Sequence, residues 1–164
     1  MTVKYNWSYS SISLFKQCPH KYYRLRVVKD VVDPPAEHLN YGLEVHKAAE
    51  DYIGKGVPIP EKYIFIKEHL DKINLIKGEK LCEYKMGLNS NLEPCGFFDK
   101  DVWVRGLADL LIIDHDENMA WVVDYKTGSD KYPDVKQLRL MALMTYAHFP
   151  EVDKIKAGLL TPLL

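Results

Sequence analysis

Two aspartates and a lysine near the middle of the chain are the residues best suited to do chemistry. Asp109 lies inside an apolar run, and Asp124 and Lys126 lie two positions apart at the end of a second apolar run. Carboxylate oxygens are the ligands that hard divalent ions such as Mg²⁺ and Mn²⁺ prefer. A nearby ammonium group adds fixed positive charge where negative charge develops in a reaction. This combination favours metal-assisted hydrolysis of a phosphodiester, as in a nuclease.

A β-hairpin is predicted to position these three residues. Residues 102–113 and 120–127 are rich in β-branched and aromatic side chains, and the polar stretch between them is a turn signal. If the hairpin is symmetric about residues 116 and 117, Asp109 lies opposite Asp124 on the same face, and the strand period adds Lys126 to that face. Because opposed carboxylates repel each other, the pattern predicts a cation between them.

Each carboxylate taken alone has a simpler explanation. Asp109 would be a charge on an edge strand, and Asp124 with Lys126 would begin a solvated loop at Thr127. Residues 107–113 are otherwise apolar, however, and burying an unpaired charge among them would be costly. A metal site therefore explains the pair better than two unrelated charges do.

A series of motifs resembles the PD-(D/E)XK nucleases, and within them the RecB-type exonucleases and the related CRISPR-adaptation nucleases. A serine-rich helix start with Cys-Pro-x-x-Tyr is followed by Gly-x-x-x-His, Gly-x-x-Asp, Asp-Tyr-Lys-Thr-Gly and a helix opening with Gln-Leu; they occupy residues 10–23, 42–46, 106–109, 124–128 and 137–138. Their order and spacing are more specific than any one of them. The resemblance covers most of the chain and implies a single restriction-endonuclease-like domain over residues 1–164.

The resemblance also implies a role for each motif residue. The metal ligands would be His46, Asp109, Asp124 and the backbone carbonyl of Tyr125. Lys126 would orient or activate the attacking water, and Gln137 would be a further catalytic residue. Without the motif, a lone histidine on a helix is more often a surface or core residue. Glu50, one helical turn after His46, would either orient the imidazole ring or be solvated.

The implied activity is that of a deoxyribonuclease that uses Mg²⁺ or Mn²⁺, specifically an exonuclease acting at DNA ends in recombination, repair or replication. One alternative is a catalytically weak DNA-binding or assembly subunit, and another is a hydrolase of a different phosphodiester. Intact Asp109, Asp124 and Lys126 favour the enzyme over the subunit, because a decayed site would be expected to lose one of them. The small chain lacks a helicase motif and is compatible with a stand-alone viral or mobile-element nuclease. It would act alone, as a homo-oligomer or with a recombination partner protein.

Two features depart from the family pattern. Family members with a four-iron cluster hold it with one cysteine near the N-terminus and three near the C-terminus. Here Cys18 fits the first position, but Cys82 and Cys95 both precede the predicted catalytic strand. Because four thiolates usually hold such a cluster, we expect no iron–sulfur cluster. Met141 stands where family members commonly carry the tyrosine of Gln-x-x-x-Tyr.

Composition limits the other function classes. The 164 residues are 47% hydrophobic, enough for one globular domain, and no apolar run approaches transmembrane length. The N-terminus lacks a signal-peptide pattern, so we expect a cytoplasmic protein with reduced cysteines and no membrane partner. A net charge of −1 leaves DNA contact to local basic patches. Two such patches are residues 20–26 and the cluster Lys131, Lys136 and Arg139. The first patch is explained equally well by an amphipathic helix whose tyrosines pack inward.

The remaining segments predict an α/β domain with a mixed sheet and flanking helices, because helical and strand patterns follow one another in the order α-α-α-β-β-β-α-β. The predicted helices are residues 10–17 with a serine cap, the helix carrying His46, one long helix over 61–77, and 133–148; the further strands are 81–88 and 154–160, with a loop over 89–100.

Overall fold

A five-stranded mixed sheet with helices on both faces forms the centre of the protein. The computed structural model describes residues 6–32, 37–127 and 135–161. The helices are α1 (Tyr9–Gln17), α2 (Pro19–Tyr22), a π-helical turn (Tyr23–Val28), α3 (Glu37–Lys55), a 3-10 helix (Glu61–Ile66), α4 (Lys67–Asn74) and α5 (Val135–His148). The strands are β1 (Glu79–Asn89), β2 (Pro94–Cys95), β3 (Val102–Asp114), β4 (Met119–Tyr125) and β5 (Lys154–Leu160). The predicted α/β class is confirmed. None of the described helices is long and apolar enough to cross a membrane.

The sheet is antiparallel except at one edge. Its strand order is β2-β1-β3-β4-β5, and only β4 and β5 run parallel. The register predicted for the hairpin is confirmed from Leu110, which pairs with Val123, to the turn, but Asp109 and Asp124 do not form the predicted ladder pair. The side chain of Asp114 closes this turn by accepting hydrogen bonds from the backbone N–H groups of Asp116 and Glu117. The turn chemistry therefore fixes which residues of β3 and β4 oppose each other.

Two apolar cores cover the two faces of the sheet. On one face α5 packs Leu138, Met141 and Met144 against β3 and β4. On the other face α3, α4 and the 3-10 helix pack against the same two strands and bury Leu110 and Ile112 completely. Each such fully buried aliphatic side chain stabilises the fold by about 1.5–3 kcal/mol.

The alternation of side chains between the two faces breaks once in the middle of the sheet. On β3, Ala108 and Leu111 both face the α5 core, whereas Leu110 faces the α3 core. On β1, Leu81 and Tyr84 pack on the α5 side, again three positions apart. A regular strand would place residues three apart on opposite faces. Both strands therefore shift by one residue at the same level.

Glu83 and Asp109 occupy this break. The pairing of β1 with β3 has the same register on both sides of them, yet the two residues are not a ladder pair. Glu83 has a left-handed backbone with φ of 50°. An L-residue in this conformation costs about 1–2 kcal/mol. The sheet therefore loses regular hydrogen bonding at the position where the sequence places its first candidate catalytic aspartate.

Several predicted elements differ in extent. The single helix predicted over residues 61–77 is wrong: a 3-10 helix precedes α4, and Tyr63 and Ile66, three apart, are both buried, as the three-residue period of a 3-10 helix allows. The first helix begins earlier than predicted because Ser8 and Ser11 form a capping box. The predicted loop contains the short strand β2. Residues 133–134 of the last predicted helix lie outside the described residues.

Candidate metal centre

The end of β4 carries a lysine held by two side chains. Lys126 Nζ lies 2.8 Å from Asp124 Oδ2 and donates a hydrogen bond of 3.0 Å to Gln137 Oε1 on α5. The carboxylate of Asp124 is buried, and within the described residues its Oδ2 accepts no well-directed hydrogen bond. The ammonium is therefore fixed in place by two contacts, while one buried carboxylate oxygen keeps coordinating capacity.

Asp109 lies between α3 and the end of β4. Its Oδ1 is 3.6 Å from His46 Nδ1, and its Oδ2 accepts a 2.7 Å hydrogen bond from the backbone N–H of Tyr125. The His46 ring packs edge-on against the Tyr125 ring, with centroids 5.6 Å apart. Ala108 faces the α5 core, so Asp109 next to it points to the α3 side, and the break in alternation falls between Asp109 and Leu111.

Glu83 joins this group, although the sequence analysis did not select it. Its carboxylate, the His46 ring and the Asp109 carboxylate each offer a ligand atom, and these atoms lie within 4.8 Å of one another. The signal that would have found Glu83 is the shift of phase along β1, where the apolar side chains at 81 and 84 are three apart rather than two or four. The apolar pattern of β3 shifts in the same way at Asp109. Placing the two shifts side by side would have predicted that Glu83 lies next to Asp109.

Burial and like charge perturb these groups. The Asp109 carboxylate, 3.6 Å away, raises the pKa of His46 against the opposing effect of burial, and the Tyr125 backbone adds to the rise. Burial raises the pKa of Asp124, and the charge of Asp109 raises it further, although Lys126 opposes both. Burial and Asp109 also raise the pKa of Glu83. Burial and neighbouring carboxylates therefore disfavour the charged forms of Asp124 and Glu83, and a bound cation would favour them.

The donor set fits a hard divalent cation. Carboxylate oxygens are the protein ligands that Mg²⁺ and Mn²⁺ prefer, whereas the imidazole nitrogen is a ligand more typical of later transition metals. Of the four predicted ligands, His46 and Asp109 lie in one group with Glu83, whereas Asp124 is not part of that group and pairs with Lys126. Tyr125 contacts both His46 and Asp109, because its backbone N–H donates to Asp109 and its ring packs against His46. Glu50, which follows His46 on α3, pairs with Lys47 at 2.9 Å.

Two motif glycines allow the helices to approach the site. A Cβ added at Gly42 would lie 3.0 Å from Thr127 Oγ1, so the glycine lets α3 pass close to the end of β4. A Cβ added at Gly106 would lie 2.4 Å from the methyl carbon of Met141 and 2.7 Å from the sulfur of Met144. These contacts are closer than carbon atoms normally approach, about 3.5 Å. The glycines thus set how near His46 and Gln137 can come to the strands.

The predicted basic patches are only partly described. Lys131 and the motif glycine Gly128 lie outside the described residues, whereas Lys136 and Arg139 are exposed on α5. In the N-terminal patch, Tyr22 is buried and stacks on Trp7 with centroids 5.5 Å apart, whereas Tyr23 is exposed. One tyrosine therefore belongs to the core and the other remains available at the surface.

No protein-family model, curated protein or solved structure matches this chain. The resemblance to the PD-(D/E)XK nucleases therefore rests on the motifs and their spacing.

Proposed function

We propose that the protein is a divalent-metal-dependent deoxyribonuclease of the PD-(D/E)XK type, an exonuclease that hydrolyses phosphodiester bonds at DNA ends in recombination, repair or replication. The observation that carries this proposal is the convergence of His46 and Asp109 near the end of β4, where Lys126 is fixed between a carboxylate and an amide. Each of these residues belongs to a separate sequence motif, and the fold brings the motifs together.

His46, Asp109 and Asp124 would hold Mg²⁺ or Mn²⁺ in this proposal, and the Glu83 carboxylate is an additional candidate ligand. The cation supplies a Lewis acid for a phosphoryl oxygen and makes a nearby water more acidic. Asp109 is oriented for this role, because the Tyr125 N–H fixes one of its oxygens and leaves the other facing His46. The backbone carbonyl of Tyr125 remains a proposed ligand.

Lys126 is proposed to hold the attacking water and to offset the negative charge that builds up on the phosphoryl group. Its ammonium pairs with Asp124 and donates to Gln137, and the side chain is 29% exposed, so a donor remains for a water molecule. Gln137 is therefore proposed to act through Lys126 as a positioning residue. Fixing the ammonium before substrate arrives reduces the reorganisation needed during the reaction.

The decisive experiment uses end-labelled DNA. Single-stranded and double-stranded oligonucleotides are incubated with the full chain in Mn²⁺, Mg²⁺ or EDTA, and the products are resolved by size. We expect stepwise shortening from an end with either metal and none in EDTA. Internal cuts in a circular single strand would indicate endonuclease action instead.

Matched variants separate the site from a contaminating nuclease. Lys126→Ala should abolish cleavage, whereas Lys154→Ala, an exposed lysine on the edge strand, should retain it. Asp124→Ala should likewise abolish cleavage, while Asp116→Ala in the exposed hairpin turn should not. If all four variants cleave as the parent chain does, or if no DNA is cut in any metal, the proposal is wrong.

A further inference from the structure

The face of the sheet that carries the candidate site extends beyond the helices that cover it. Along the first half of β3, Val104 and Ala108 face the α5 core, so the intervening odd-numbered residues point to the other face. There α3 and α4 cover Leu110 and Ile112, but Trp103 remains 42% exposed and Leu107 remains exposed as well. This half of the face is therefore open in the described part of the chain.

Aromatic rings and cations occupy the open half. Leu107 pairs across the sheet with Lys85 on β1, so both share the face. The segment between β2 and β3 adds two phenylalanines, and Phe98 is 75% exposed. We call this surface the aromatic–basic face: Lys85, Phe97, Phe98, Trp103, Arg105 and Leu107.

Contacts between rings and cations hold the face together. Lys85 Nζ lies 5.5 Å from the centre of the Phe98 ring, and the Arg105 guanidinium lies 5.2 Å from the centre of the Phe97 ring. The two phenylalanine rings meet edge to face at 4.9 Å. Exposed cation–π contacts are weak, so each cation can still bind an anion. The face thus combines apolar ring surface with two positive charges.

We propose that the aromatic–basic face binds a single strand of DNA and leads its end into the candidate metal centre. The proposal deepens the nuclease function proposed above and rests on it for the direction of the strand. Bases of a single strand stack on Trp103 and Phe98, and Lys85 and Arg105 bind the phosphates between them. Bases in an intact duplex are already stacked on each other, so they cannot use these rings in the same way.

Continuity with the site is the observation that selects this ligand. On this face of the sheet, the next residue after Leu107 is Asp109 and the next after Lys85 is Glu83, both of the candidate centre. From Trp103 to Asp109 the strand runs about 20 Å at about 3.3 Å per residue. A phosphodiester chain lying along this path meets cations and rings first and the metal ligands last. Two cations on an otherwise apolar surface complement phosphate charge, which an apolar protein partner would lack.

The test measures binding separately from cleavage. The full chain is titrated in EDTA into an end-labelled 20-nucleotide dT strand, with fluorescence anisotropy as the readout. We expect Trp103→Ala to weaken binding by about 5-fold or more, the effect of losing one base–aromatic stack. Tyr146→Ala is the matched control, because Tyr146 is exposed to a similar extent but lies on α5, across the sheet. It should bind as the parent chain does.

A second variant tests the charges independently. Lys85→Ala should lower the slope of log K against log salt by about 0.7, the value for one lost phosphate contact to a single strand. Lys154→Ala, on the opposite edge of the sheet, should leave the slope unchanged. With Mg²⁺ or Mn²⁺, Trp103→Ala should raise KM for the strand and leave kcat largely unchanged. Far-UV circular dichroism checks that each variant is folded.

The outcomes distinguish the two proposals. If DNA binding depends on Trp103 and Lys85 but no metal supports cleavage, the aromatic–basic face stands as a DNA-binding surface and the proposed nuclease function is refuted. If the strand is cleaved but both variants bind it as the parent chain does, the proposed nuclease function stands and the proposed DNA-binding role of the aromatic–basic face is refuted. Equal weakening of duplex and single-strand binding by Trp103→Ala would overturn the single-strand assignment.

Discussion

Gly106→Ala tests how packing of α5 controls the candidate site. The added Cβ would overlap the methyl carbon of Met141 at 2.4 Å and the sulfur of Met144 at 2.7 Å. A normal carbon contact is about 3.5–4.0 Å, so the methionines must move by about 1 Å. Both are almost completely buried, so little free space receives them. Overpacking of this kind costs about 1–3 kcal/mol, and we expect the lower half of that range because methionine is flexible.

The effect on activity follows from what α5 carries. Gln137 on α5 accepts a 3.0 Å hydrogen bond from Lys126. Met141 and Met144 of the same helix pack over Gly106 of β3. A displacement of about 1 Å in a positioned catalytic group can lower the rate about 100-fold. We therefore expect Gly106→Ala to lower kcat by at least 10-fold while retaining metal binding.

Urea unfolding and single-turnover cleavage measure the two effects. Gly158→Ala on β5 is the matched control, because a Cβ there meets nothing within 4 Å; its free energy of unfolding should change by less than about 0.5 kcal/mol. In a double-mutant cycle, Met141→Ala should relieve part of the cost of Gly106→Ala, with a coupling of about 0.5 kcal/mol or more. Additive effects, or a Gly106→Ala protein as stable and active as the parent, would refute the packing argument.

Three further predictions concern the site and its neighbours. Lys126→Ala should abolish cleavage and leave Mn²⁺ binding largely in place, whereas Asp124→Ala should remove both; calorimetric titration decides, and lost binding in the lysine variant contradicts the assignment. The Cys18→Ala protein should remain active, colourless and iron-free. Its free energy of unfolding should fall by about 1 kcal/mol or less, because the contact of Cys18 Sγ is a 3.4 Å hydrogen bond accepted from the Lys21 N–H at the start of α2. Visible absorption with stoichiometric iron after anaerobic purification would overturn this. Because the pKa of Glu83 is raised, its ionisation destabilises the metal-free fold as pH rises from about 4 through the raised pKa, and Glu83→Gln should reduce that loss in urea unfolding with EDTA; an unchanged pH dependence would count against it.

The hairpin was predictable from the sequence because its signals are local. The turn residues and the apolar runs of β3 and β4 together determine a register that the structure reproduces from Leu110 to Asp114. The last strand was predictable for the same reason. The 3-10 helix before α4 was not, because its period depends on Tyr63 and Ile66 being buried against α3 and the sheet, which is a tertiary effect.

The site was predictable only in part. Local periodicity identified Asp124 and Lys126 as neighbours, and their side chains do meet. A regular hairpin would also have put Asp109 on the α5 face, but its side chain lies beside His46 on the α3 side. That difference coincides with the irregularity at Glu83 on the neighbouring strand, which is far away in sequence. Pairing between β1 and β3 determines the shift, so reasoning on β3 and β4 alone could not reveal it.

The backbone break and the ligand group occur at the same place for a physical reason. If β3 kept the alternation of Leu111 and Ile113, Asp109 would point to the α5 side, where Asp124 already carries a buried carboxylate. Shifting both strands by one residue turns it to His46 and the Tyr125 N–H, at the cost of one ladder pair and a left-handed Glu83. That cost, about 1–2 kcal/mol for the backbone of Glu83, is small against burying an unpaired carboxylate. The same shift turns the Glu83 carboxylate to Asp109, and a proton or a bound cation would relieve the resulting repulsion. Local strain in the sheet and the grouping of His46, Glu83 and Asp109 are therefore two consequences of one irregularity.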